Sequence, residues 1–160
     1  MKVKQNLLGI PTQAIFLMLT LMLIVLASAQ LPLAFAEGRS GLIFLKDYKA
    51  ASQMAIKNNK YLLVDVYTDW CGWCTKLDQD VFTEPKLVQY LQDNFVVVKL
   101  NPEISADNAE FADKYDVQSF PCAVVFDPAG KKLGKIRGYK EAPDYKQALE
   151  ALIKGRTKTN

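Results

Sequence analysis

The chain has 160 residues, half of them apolar, and a formal net charge of +3, which suits one ordinary domain with an appendage and leaves no room for two separate cores. Lys2 and Lys4 are the only charges in the first 36 residues, so the remainder holds 18 of the 20 basic and all 17 acidic residues and is close to neutral. That balance excludes an electrostatic nucleic-acid binder, and the short basic clusters at 131–132 and 154–158 read as solvated surface.

Residues 5–36 carry no charge, and their densest part, AIFLMLTLMLIVLA at 14–27, has the length of the apolar core of a secretory signal. Two small-x-small sites follow, Ala27-Ser28-Ala29 and Ala34-Phe35-Ala36. The second is better placed, because Pro32 breaks a helix just upstream and Glu37-Gly38 opens a polar segment. Residues 1–36 are therefore expected to be a signal peptide cleaved after Ala36. The alternative is an uncleaved membrane anchor over residues 7–36, since the same run is long enough to span a bilayer with its lysines on the cytoplasmic side. Either way residues 37–160 form the domain and work outside the cytoplasm, where disulfides form and persist.

DYKAASQMAIKNN, 47–59, places Tyr48, Ala51, Met54, Ala55 and Ile56 at helical spacing behind an aspartate. YLLVDVYT, 61–68, reads as a strand with one acid, Asp65, inside it. After the cysteines, TKLDQDVFTEPKLVQYLQDN fits one helical stretch through about Val81 and another from Pro85, a residue suited to a first helical turn. FVVVKLN, 95–101, is a strand; ADNAEFADKY, 106–115, a helix; CAVVFD, 122–127, a strand closed by the turn residues Asp127-Pro128-Ala129-Gly130. KKLGKIRGY, 131–139, alternates as a hairpin partner, and APDYKQALEALIKG closes the chain as a helix ended by Gly155. Strands interleaved with helices in the order αβααβαββα predict an α/β sheet covered on both faces, with a hairpin at one edge.

Cys71 falls where the strand ends and a helix begins, beside backbone N–H groups that no helical residue satisfies, and that position favours a thiolate. Cys74 is three residues on, about 60° around the same helix, within reach of a disulfide, and Gly72 permits another backbone to approach the tip. A lowered first pKa and a buried second thiol support thiol-disulfide exchange, in which Cys71 attacks a disulfide and Cys74 resolves the mixed disulfide. Structural zinc is short of ligands, since the chain has no histidine and three cysteines. Copper(I) or a shared iron-sulfur cluster would need thiolates from two chains, and a staple would close a loop too short to add much. Redox chemistry leads these alternatives, with no metal assigned.

The stretch VDVYTDWCGWC resembles the thioredoxin active-site segment, in which an acid lies six residues before the first cysteine and a tryptophan directly before it; here these are Asp65 and Trp70. The likeness continues through VVVKLN at 96–101, YDVQSFPC at 115–122 and Gly138, and so covers residues 45–155. The segment after the cysteines is most similar to extracytoplasmic thioredoxin-like proteins related to the C-terminal domain of periplasmic disulfide-interchange reductases. The resemblance implies a thioredoxin fold, with a central mixed sheet flanked by helices on both faces and CxxC at a helix N-terminus. It also implies Cys71 as nucleophile, Cys74 as resolving thiol, Asp65 as a buried proton acceptor for Cys74, Lys99 as partner of that acid, and Pro121 as a cis-proline beside the disulfide.

A carboxyl buried in a strand resists ionisation, which fits that role for Asp65, although an outward-facing acid paired with a lysine is the competing reading. Lys99 has the alternative of snorkelling to solvent, and Trp70 that of a core residue rather than a docking surface beside the sulfurs. The backbone of Phe120 next to Pro121 would pair with an extended substrate. Three departures from the thioredoxin pattern stand out. Trp73 replaces a common proline and bears on redox poise, bulky Phe120 reshapes the groove, and Cys122 is an odd third thiol: a small apolar core residue, a regulatory thiol or a third metal ligand.

The expectation is an exported, periplasmic thiol-disulfide oxidoreductase that reduces disulfides of exported proteins, with Trp70, Gly72, Trp73, Phe120 and Pro121 meeting substrate. It needs no cofactor beyond the redox-active Cys71–Cys74 pair, and a membrane-borne donor supplies electrons, since no nicotinamide or flavin motif occurs. The alternatives are a disulfide oxidase or isomerase, and a non-catalytic thioredoxin-fold module that binds a partner or a metal.

Overall fold

The structure is a computed structural model that describes residues 41–157, and of Arg156 and Thr157 the backbone only. The signal-peptide and anchor readings of residues 1–36 lie outside the described residues. Chain order gives α1 (Tyr48–Lys57), β1 (Tyr61–Val66), α2 (Gly72–Lys76) continued by a π turn over Leu77–Val81, α3 (Pro85–Asn94), β2 (Phe95–Leu100), α4 (Ala106–Lys114), β3 (Cys122–Phe126), β4 (Lys132–Arg137) and α5 (Ala142–Thr157).

Local signals set these boundaries. Asp47 caps α1 by accepting from the amides of Lys49 and Ala50 at 2.8 and 3.1 Å. Glu84 caps α3 by accepting from the Leu87 amide at 2.7 Å, with Pro85 in the first turn. The Asp127 carboxylate accepts from the amides of Ala129 and Lys131 at 2.8 and 3.0 Å, while Gly130 takes the left-handed φ of 80° that the β3–β4 hairpin requires. Two expectations are corrected. The last helix does not stop at Gly155 but runs to Thr157, because Gly155 stays out of the left-handed region that ends helices. Met54 and Ile56 do not join the buried stripe of α1. Ala51 and Ala55, four apart, form that stripe beside half-buried Tyr48, and Met54 and Ile56 face outward.

The sheet order is β2-β1-β3-β4. β1 is parallel to β2 and antiparallel to β3, and β3–β4 is the edge hairpin. At the other edge Leu45 makes an isolated parallel bridge to Val98. Alternation along the central strands sends their residues to opposite faces. Leu63, Val97, Ala123 and Val125 pack beneath the π turn, α3 and α5, against Leu77, Val81, Leu91, Tyr145 and Leu149. Leu62, Val64, Val98 and Phe126 pack against Ala51 and Ala55 of α1 and Phe111 of α4. Asp65 alternates with Val64 and Val66, so it points to the face that carries α2 and α5.

Candidate active site

The turn from β1 into α2 sets the cysteines. Cys71 is the N-cap of α2, with extended backbone at φ −82° and ψ 97°, and its Sγ accepts the Cys74 amide at 3.1 Å. The Cys71 carbonyl accepts the same amide at 3.0 Å, and a sulfur at the N-terminal end of a helix is a favourable place for negative charge. Cys71 and Cys74 are joined as a disulfide with Cα atoms 5.2 Å apart, and both are buried. Gly72 between them faces open space, with nothing within 4 Å of where a Cβ would stand.

Asp65 is 1% exposed in the central strand, paired in register with Lys99 on one side and Ala123 on the other. Lys99 Nζ lies 3.3 Å from Asp65 Oδ2, yet neither carboxyl oxygen makes an aligned hydrogen bond. Burial pushes the Asp65 pKa up to about 6; the Lys99 ammonium pulls against that and Asp78 adds to it. Lys99 is only 12% exposed, so it does not snorkel free. Its ammonium is shared with Asp78 and lies 4.7 Å from the ring centre of Tyr67. Asp65 therefore faces the interior rather than solvent.

Trp70 is 70% exposed and Trp73 59%, which places Trp70 on the surface and not in the core. Trp70 Nε1 donates to Glu103 Oε1 at 2.9 Å, and its ring meets Phe120 edge-on at 5.9 Å. Glu103 is in turn held through its amide by Asn101 Oδ1 at 2.9 Å. Trp73 stacks obliquely on Tyr139 at 5.4 Å. A groove of about 340 Å³ opens between Trp73, Phe120, Pro121, Gly138 and Tyr139. The Phe120–Pro121 bond is cis. Gly138, at φ 73°, donates its amide to the Pro121 carbonyl at 2.9 Å and so ties the two sides of the groove floor.

Cys122 is buried as the first residue of β3. Burial pushes its pKa up, against the pull of Lys135 and Arg137. It alternates with Ala123, which packs under the π turn and α5, and among the described residues no group of three or more Cys, Asp or Glu is placed to hold a metal.

A buried disulfide at a helix N-cap, a buried carboxyl in the adjoining strand and a proline-walled groove form one constellation on a mixed four-stranded sheet. The pattern of the thioredoxin-like domain matches residues 48–153. The chain belongs to the thioredoxin-like domain family. Over 122 residues it is 30% identical to the thiol:disulfide interchange protein DsbD of Actinobacillus pleuropneumoniae, covering 75% of this chain and 20% of that protein. Over 99 residues it is 28% identical to a protein disulfide-isomerase of Triticum aestivum, covering 62% of this chain and 19% of that protein. The chain thus spans about a fifth of the length of these curated relatives. The solved C-terminal domain of Neisseria meningitidis DsbD in its oxidised form superposes with a TM-score of 0.59 at 20% identity, over 68% of this chain and 97% of that one, and shares the fold.

The sequence does not mark three contributors. Asp78 had a signal available, since it lies four residues after Cys74 and on the same helix face. Tyr139 follows Gly138 directly. Glu103 sits in an irregular loop, and no pattern there marks a site.

Proposed function

We propose that this thioredoxin-like domain is an exported thiol-disulfide oxidoreductase that reduces disulfides of extracytoplasmic proteins. The observation that carries the reading is Cys71 at the α2 N-cap, its sulfur accepting a backbone amide and bonded to Cys74. In the reduced protein the Cys71 thiolate attacks one sulfur of a substrate disulfide, breaks that bond and releases one substrate thiolate. Cys74 then gives its proton to the Asp65 carboxylate, and the new thiolate attacks Cys71 Sγ. The mixed disulfide breaks, the second substrate thiolate leaves, and the Cys71–Cys74 disulfide forms. Two electrons pass from the pair to the substrate, and protons from Asp65 and solvent complete its two thiols.

Asp65 suits this step because its pKa of about 6 leaves it mostly ionised at neutral pH yet makes it a stronger base toward a thiol than an ordinary exposed carboxylate. Lys99 stabilises the ionised form. The groove lined by Trp73, Phe120, Pro121, Gly138 and Tyr139 receives an extended segment of substrate, with exposed Trp70 and Trp73 flanking the sulfurs. The cycle needs no group beyond the dithiol, and its electrons come from a membrane-borne donor. The leader keeps the domain in the periplasm, released or tethered; among the described residues no helix is long and apolar enough to cross a membrane.

The test is a trap. Reduced Cys74→Ser protein mixed with a disulfide-bonded protein such as insulin should accumulate a covalent adduct through Cys71, cleared by dithiothreitol and absent in Cys71→Ser. Failure of Cys74→Ser to form any adduct, with wild-type protein also unable to reduce the substrate, overturns the reading.

A further inference from the structure

Among the described residues Tyr145 is the largest fully buried side chain, 1% exposed, and its hydroxyl has no hydrogen-bond partner. It stands on α5 in the cluster that packs Leu63, Ala123 and Val125, the sheet face toward which Asp65 points. Asp65 Oδ2 has the Lys99 ammonium 3.3 Å away, but among the described residues neither of its buried carboxyl oxygens accepts an aligned hydrogen bond, which leaves Oδ1 without any partner. An unpaired buried polar group costs about 1–3 kcal/mol. Two such groups on one face, a donor and an acceptor, are each explained by a shared partner, and an internal water with two or more polar neighbours is the usual one. Phenylalanine would fill the same space without the oxygen, so packing alone does not explain the hydroxyl.

We propose that Tyr145 is a positioning residue for Asp65, its hydroxyl donating to the carboxylate through a single bridging water. Burial pushes the Tyr145 hydroxyl well above the ordinary phenol range, and the Asp65 carboxylate is the leading charge that adds to this, so the phenol remains a donor at every working pH. Donation to the charged form favours ionised Asp65. The other groups acting on Asp65 are Lys99 of β2, which favours ionisation, and Asp78 of the π turn and Cys122 of β3, which oppose it or are themselves raised by it; the Cys71–Cys74 thiols join them in the reduced protein. This inference rests on the exchange reaction proposed above for its consequence, since Tyr145 would keep the acceptor for the Cys74 proton ionised.

The test follows Asp65 itself by carboxyl carbon NMR in the full oxidised domain, a readout that needs no activity. Tyr145→Phe should raise the Asp65 midpoint by at least about half a pH unit, about threefold in the acid dissociation constant. The acid limb of the resolving step should move up by the same amount. Phe82→Leu, which alters packing against the Tyr145 ring at 5.4 Å, should leave the midpoint in place. In unmutated protein the Tyr145 ring carbon bearing oxygen should report a titration at the Asp65 midpoint, which covers the case of a variant that does not fold. An unmoved Asp65 midpoint in Tyr145→Phe, or a Tyr145 signal flat through that pH range, overturns the proposal. Absence of disulfide reduction by wild-type protein would instead overturn the exchange reading and leave the titration result standing.

Discussion

Asp65 carries the sharpest energetic conflict in the domain. Its carboxyl is held in a strand core with one lysine beside it, and its pKa rises from 3.8 to about 6. An acid whose folded pKa lies above its unfolded value binds more protons in the folded state between those two values, so stability falls as pH rises from about 4 to about 6 and stays lower above that window. The shift corresponds to about 3 kcal/mol at neutral pH. Asp65→Asn should therefore stabilise the oxidised domain by up to about 3 kcal/mol at pH 7.5, with the gain fading below about pH 4. Urea unfolding at the two pH values measures it. Parallel stabilities of the two proteins across pH, or a loss at pH 7.5, would contradict the burial account of Asp65. Cys122, one residue from the groove, has no such conflict, being a neutral thiol whose pKa burial raises.

Among the elements, α5 contributes most to the face that holds the site. Leu149 is fully buried and Tyr145 stacks edge-on against Phe82, so α5 closes the core over the π turn and the sheet. Leu149→Ala should cost about 2–5 kcal/mol in denaturant unfolding; a loss under about 1 kcal/mol would mean that α5 is peripheral. The order of elements was legible because short apolar, β-branched runs at 61–66 and 95–100 and an acid-led helix at 48–57 carry their structure locally. Strand ends were overextended by one or two residues, as at Tyr67 and Thr68, because apolarity and β-branching persist past the last ladder position. The π turn over Leu77–Val81, closed by the Phe82 amide on the Leu77 carbonyl at 3.0 Å, has no composition of its own. Neither the sharing of Lys99 between Asp65 and Asp78 nor the cage of Trp70 by Glu103 and Phe120 was legible, since each joins residues far apart in the chain.

Across the whole molecule, a mixed sheet with helices on both faces places CxxC, the groove and the buried acid at one end, where β1 and β3 present Asp65 and Cys122 in adjacent strands. The chemistry was readable from the spacing WCGWC and the acid six residues upstream. The direction of electron flow was not, because it depends on how strongly the folded environment of Cys71 favours thiolate over disulfide. The proposed function makes Cys71 and Cys74 a reducing couple. Its most direct test is the reduction potential of the domain, measured by equilibration with glutathione and quantified by trapping of free thiols. A reducing couple should give a value near that of thioredoxin, about −270 mV, whereas a value near the strong-oxidant end, about −120 mV, would rule it out.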